Sequence, residues 1–404
     1  MLKFVLRVLT LSILLFTLSF SNHTTRAGGT QVISLNLNHV VGWTDTYIQH
    51  FFAEQNLAFR TAGLSSREIR KNYILKDSTD KYRVTYKGDK GPGLGKKIVF
   101  IASDHEYRSE ESLPALARIL AKRYGFTCTV VWALDDDGNI LPGSSNLKGL
   151  EVLDDANLMV IFTRFANFPD EEMQHINDYL ERGGPVMGFR TATHAFNTKG
   201  NAKWEHYDYA YNGPMTEWKD GFGKLILGET WVGHYGANHK QASKLIIEDA
   251  QKDHPIMRGV KDAWAHSGGY KAFPENMGAT VLARGKILNG MTPDAAPDTS
   301  KEMMPVAWVR NYKLKSGATG RAFTTTHGAS EDLLSDGFRR MAINAAFWCM
   351  GMERQIKPGN NIDFVGPYMP TTFNFSGYKA NVKPSDLAGF ESLIMPGEVV
   401  KEKK

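Results

Sequence analysis

From Lys97 onward the chain repeats one pattern: a short apolar run, a polar loop, an amphipathic stretch, then another apolar run. Residues 97–102 (KIVFIA), 127–133 (TCTVVWA), 157–163 (NLMVIFT) and 185–189 (PVMGF) are short and continuously apolar. Such runs suit strands covered on both faces. Between them, the spacing predicts a helix over 113–124 closed by Gly125. A second is predicted over 169–182, with Pro169 in its first turn and Gly183-Gly184 beyond its end. Strands alternating with helices imply right-handed crossovers and a parallel sheet, so the expected class is α/β.

The second half is less regular. Candidate strands at 244–247, 279–283, 306–309 and 322–325 are separated by long loops rich in His, Trp and Gly. A helix is expected over 331–350, its apolar residues spaced to pack on the sheet. Residues 354–404 read as an extended C-terminal arm with a charged end, and 96–353 as one α/β domain without an internal linker. Residues 28–95 read as an irregular extension and linker, with a short amphipathic element within 47–63. The run 88–95 (GDKGPGLG) precedes its strand and lacks the Lys-Ser/Thr ending of a phosphate-binding loop.

Residues 1–27 read as a secretory signal peptide: Lys3 and Arg7, then an apolar run over 8–20, then small and polar residues. The run is shorter than the roughly 20 residues a membrane span needs, an uncleaved anchor being the rival reading. The expectation is a periplasmic or secreted protein with no membrane attachment after cleavage. Loss of Lys3, Arg7 and Arg26 lowers the formal charge from +5 to +2. That near-balance gives no reason to expect a nucleic-acid partner. With 42% hydrophobic and 23% charged residues, the chain can build a sizeable core. The two cysteines, Cys128 and Cys349, lie in apolar stretches and suit buried free thiols.

Open parallel sheets bind ligands outside the carboxyl ends of their strands. That rule selects three loops. After the first strand come Asp104, His105, Glu106 and Arg108; after the third, Arg164; after the fourth, Arg190, Thr191 and His194. His105 and Glu106 are the candidate catalytic pair, because a carboxylate beside an imidazole can exchange protons. Asp104, Arg108, Arg164, Arg190, Thr191, His194 and the strand-end His327 are candidate substrate-binding residues. The alternative for the first loop is structural, with Asp104 and Ser109 capping the following helix and Glu110 and Glu111 favourable near its positive end. His234 and His239, in a glycine-containing loop, could hold one divalent metal (zinc or manganese) if Asp104, His105 or Glu106 joined them. No GxSxG elbow and no Gly-x-Cys-x-Gly nucleophile motif is present, and no GxGxxG follows a strand, so no nucleotide is expected. Trp204, Tyr207, Tyr209, Tyr211, Trp218 and Trp231 could stack on sugar rings.

The stretch from Gly183-Gly184 through Gly188-Phe189-Arg190-Thr191-Ala192-Thr193-His194 resembles a segment of ThuA-like (trehalose utilisation) proteins. So do Leu227-Gly228 to His234, His254-Pro255-Ile256, Pro305 to Trp308, and Gly320 to His327-Gly328, in the same order over about 97–353. Arg190 and Thr191 stand where that family commonly has His and a small residue. The resemblance implies a flavodoxin-like, class I glutamine amidotransferase-like fold without the amidotransferase cysteine. It also implies a link to sugar catabolism, with oxidised (3-keto) glycosides as a substrate class. The leading expectation is a carbohydrate-active enzyme using acid/base chemistry, possible metal assistance included. The rivals are a non-catalytic sugar-binding protein and a structural partner docked through the C-terminal arm.

Overall fold

The computed structural model describes residues 80–401, so the signal-peptide reading and the element expected within 47–63 lie outside it. A ten-stranded sheet forms the centre. Its strands are β1 (Arg83–Lys87), β2 (Lys97–Ser103), β3 (Thr127–Trp132), β4 (Leu158–Thr163), β5 (Val186–Phe189), β7 (Ser243–Ile247), β8 (Trp264–Ala265), β10 (Thr280–Ile287), β11 (Met304–Lys313) and β12 (Thr319–Thr325). Two short strands, β6 (His234–Tyr235) and β9 (Gly269–Tyr270), pair apart from it, as do β13 (Lys379–Ala380) and β14 (Glu398–Val399).

The order is β1-β3-β2-β4-β5-β12-β11-β10-β7-β8. The five strands β3-β2-β4-β5-β12 run parallel. Counted along the chain they follow the 2-1-3-4-5 order of flavodoxin-like sheets, whose switch point lies between β2 and β4. The remaining strands are antiparallel. The turn between Lys313 and Thr319 is too short for a crossover, so β12 must return antiparallel to β11. β1 corrects the expectation of an irregular 28–95. Its RVTYK sequence alternates, burying Val84 and Tyr86 while the residues between face outward along the sheet edge.

Helix α1 (Ser109–Tyr124) begins four residues before the predicted start and contains Pro114. Proline cannot donate to the carbonyl of Glu110, four residues back. That carbonyl accepts instead from Trp132 Nε1 at 3.4 Å. Gly125, at φ 83°, closes the helix as predicted. Helix α2 (Asp170–Glu181) matches its predicted span within a residue. The helix expected over 331–350 is interrupted: a 3-10 turn (Ser330–Leu334) gives way at Ser335 to α3 (Asp336–Cys349). Ser335 has extended ψ, and its hydroxyl accepts from the Trp264 and Phe338 amides.

Beyond α3 the chain has few regular elements yet remains tied to the domain. Phe373, Val382, Leu387, Ile394 and Met395 are buried. The fully buried Arg118 of α1 donates to the Leu387 and Ser392 carbonyls. Among the described residues no helix is long and apolar enough to cross a membrane.

Candidate functional site at the sheet switch point

β2 and β4 are neighbours, their last paired residues being Ser103 and Thr163, so the chain leaves both strands at the same point of the sheet edge. The loop after β2 carries Glu106 and the residue after β4 is Arg164. The two form an ion pair across the switch point, their side chains 6% and 11% exposed. The other carboxylate oxygen of Glu106 accepts from the Asn238 side-chain amide at 3.2 Å. The same amide donates to Tyr107 Oη at 2.8 Å, and His234 Nε2 lies 3.2 Å from that hydroxyl. Arg164 Nε and Asn238 Oδ1 are buried without a partner. Buried polar atoms are rarely left so. A donor and an acceptor therefore stand available beside a carboxylate already held by two donors.

Asp104 organises this loop. Its carboxylate is fully buried and accepts from the Glu106 and Tyr107 amides and, at 2.7 Å, from Thr191 Oγ1. It is not a helix cap: Arg108 occupies that place at φ 64°, without a side-chain cap bond. Ser109 Oγ accepts from the Asp104 amide. The left-handed turn at Arg108 sends its guanidinium the other way, to Thr371 Oγ1 and the Ser376 carbonyl. Glu111 accepts from the Thr371 amide and hydroxyl.

The strand-to-helix elbow after β5 puts Arg190 at φ 41°, a conformation that costs a side-chain-bearing residue about 1–3 kcal/mol. Its guanidinium is fully buried between the rings of Tyr107 (3.8 Å) and Tyr270 (4.7 Å). It donates to the Gly268 and Thr326 carbonyls and leaves Nε and Nη2 unpartnered. No hydrogen bond or ion pair to a carboxylate is formed; carbonyls and aromatic faces hold the guanidinium instead. His194 lies among Phe165, Trp231 and Tyr270. Burial, reinforced by Arg164 and Arg190, holds its pKa well below the ordinary histidine value. His105 is half-buried and also lowered, again by burial first, so both imidazoles are neutral at pH 7.

His327, fully buried behind β12, has neither ring nitrogen partnered, and burial lowers its pKa to about 4. It sits among Phe338, Gly285 and Val306, away from the Glu106–Arg164 pair in its direct contacts. His234 and His239 do not converge: His234 faces Tyr107, whereas His239, at φ 61°, stacks on Phe373 at 4.4 Å. Among the described residues no group of three His, Cys, Asp or Glu side chains is placed to hold a metal ion. Cys128 and Cys349 are buried free thiols, both shifted upward by burial, Cys349 to about 12.

Of the aromatic residues expected to stack on sugars, Trp204, Tyr207, Tyr211 and Trp218 are buried, and Tyr207 and Trp218 pack directly together. Trp231 and Tyr209 do reach the site, through His194 and Phe165. Sequence reasoning missed Tyr107, Asn238, Tyr270 and Phe375. Asn238 had a usable signal, since it adjoins His239 in the same glycine-containing loop. Phe375 had none, because it arrives from the distant C-terminal segment.

The fold is a flavodoxin-like sheet whose switch point bears charged and imidazole groups. A sequence model of the ThuA family, described as trehalose utilisation, matches residues 97–349, and the chain belongs to that family. Solved structures with similar folds include a ThuA-like protein from Parabacteroides merdae, 17% identical, covering 63% of this chain and 90% of that one at a TM-score of 0.39. Another is a ThuA-like protein from Bacteroides uniformis, 15% identical, covering 68% of this chain and 98% of that one at a TM-score of 0.40. No curated protein matches the chain.

Proposed function

We propose that the chain is an exported carbohydrate-active enzyme that binds a glycoside oxidised to a keto-sugar at the switch point and acts by proton transfer. One observation carries this reading: Arg164 Nε and Asn238 Oδ1 are unpartnered beside Glu106, a donor for a carbonyl oxygen next to an acceptor for a hydroxyl. Family membership supports a role in trehalose utilisation, and the signal-like residues 1–27 support export.

In this mechanism neutral His105 removes the proton from the carbon beside the carbonyl. The electron pair moves onto the carbonyl oxygen, where Arg164 stabilises it. As the enolate collapses, the neighbouring C–O bond breaks and the His105 imidazolium returns its proton to the departing oxygen. No nucleophile is required. Both oxygens of Glu106 are occupied, so its part is to hold Arg164 and Asn238 in place. Glu106→Gln is expected to lower kcat/KM for a keto-glycoside about 100-fold, the usual loss when charge stabilisation is disordered. Its far-UV spectrum and unfolding midpoint should stay near wild type; unchanged turnover would remove Glu106 from the site.

The occupied Glu106 oxygens also favour a second reading, a non-catalytic sugar-binding protein on the same fold. Saturable binding of a keto-glycoside with no product formed would establish it. The two schemes share the binding groups and differ only in what His105 does.

A further inference from the structure

The site is covered by residues that lie beyond the stretch matched by the family. Residues 371–377 pass over the switch point as a strap. Arg108 holds both ends, through Thr371 Oγ1 and the Ser376 carbonyl, and Glu111 and Ser330 hold Thr371 again. Between these anchors the side chains alternate. Phe373 is fully buried against Tyr107 and His239, and the Phe375 ring lies 5.2 Å from His105 and 4.9 Å from the Arg164 guanidinium. Asn374 and Ser376 instead line an open groove of about 1020 Å³ shared with His239, Val400 and Lys401.

We infer that Phe375 is the gate of the switch-point site and the aromatic platform for its ligand, a specificity element that the matched family domain does not supply. The ligand class rests on the function proposed above; the gating does not. Arg164 lies between two rings. Phe165 is fixed by further contacts with His194 and Tyr209, whereas Phe375 is 56% exposed, with its ring against Arg164 and His105. Anchored ends and a free ring make a side-chain rotation, rather than movement of the strap, the step that uncovers Arg164 Nε. A sugar face lined with C–H bonds then packs on the ring while its oxygens meet Arg164 and Asn238.

Two measurements on the full chain test this. Carbethoxylation of His105 by diethyl pyrocarbonate, followed by peptide mass spectrometry, reads the gate without any ligand. Phe375→Ala should react severalfold faster than wild type at an unchanged unfolding midpoint, and an unchanged rate overturns the gate. Calorimetric binding of a methyl 3-keto-glucoside reads the platform. Phe375→Ala should weaken it about tenfold, whereas Phe375→Tyr should retain it; equal affinity in the alanine variant overturns the platform. If wild type binds no keto-glycoside while His105 still responds to Phe375, the proposed ligand fails and the gate stands.

Discussion

Replacing Glu110 by glutamine is expected to stabilise the protein, and to do so more strongly at pH 8 than at pH 5. Glu110 sits in the first turn of α1, where a carboxylate would ordinarily benefit from the helix end. Here it is buried, and neither of its oxygens has a hydrogen-bond partner. Burial raises its pKa from 4.5 to about 8, with Arg108 only partly opposing the shift. Its neighbour Glu111 is raised less, to about 7, because Thr371 donates to it. Between pH 4.5 and 8 the folded protein therefore keeps a proton that the unfolded chain releases. Stability must fall as pH rises through that window, by up to about 1.4 kcal/mol per unit for one such group. Glutamine removes this linkage while its amide stays as poorly partnered as the protonated acid. The variant should match wild type near pH 4 and gain about 4 kcal/mol by pH 8, before levelling off. Urea unfolding at four pH values measures the difference, and a gain independent of pH would contradict the assignment.

The parts of the fold that were legible share one property: their signal is local. Strands β2 to β5 are continuous apolar runs bounded by glycine or polar loops, so their identity needs no knowledge of partners. β1 was missed because RVTYK is half polar and becomes a strand only by pairing with β3. The antiparallel half was located but not oriented, since β10, β11 and β7 pair through contacts distant in sequence. The site divides in the same way. The strand-end rule placed Glu106, Arg164, Arg190 and His194 at one edge, where the structure brings them near one another. What each side chain faces depended on backbone turns the rule does not see. Left-handed residues turn Arg108 toward the strap and seat His239 on Phe373. Tyr107, an aromatic residue within a charged loop, gave no hint that it would support Arg190 and bind Asn238.

Asp104 shows how residue type and position can agree while the role differs, and it yields a sharp contrast between two variants. As a strand-end carboxylate it was a candidate for binding substrate. In the structure it is enclosed, and its oxygens serve three donors: the Glu106 amide, the Tyr107 amide and the Thr191 hydroxyl. Asp104→Ala would leave two buried amides without an acceptor, each costing about 1–3 kcal/mol. Thr191 can turn its hydroxyl elsewhere at smaller cost. The expected loss is about 3–5 kcal/mol, with keto-glycoside binding abolished because Glu106 and Tyr107 lose the turn that aims them. Asp104→Asn should behave differently. Its carbonyl oxygen can keep both amides, and its new amide can donate to Thr191, whose hydroxyl accepts as well as it donates. That variant should lose about 1 kcal/mol or less and retain binding. Chemical unfolding and calorimetry on both proteins decide the point. If asparagine is as damaging as alanine in binding but not in stability, the charge of Asp104 acts on the ligand, and its place is among the binding groups rather than beneath them.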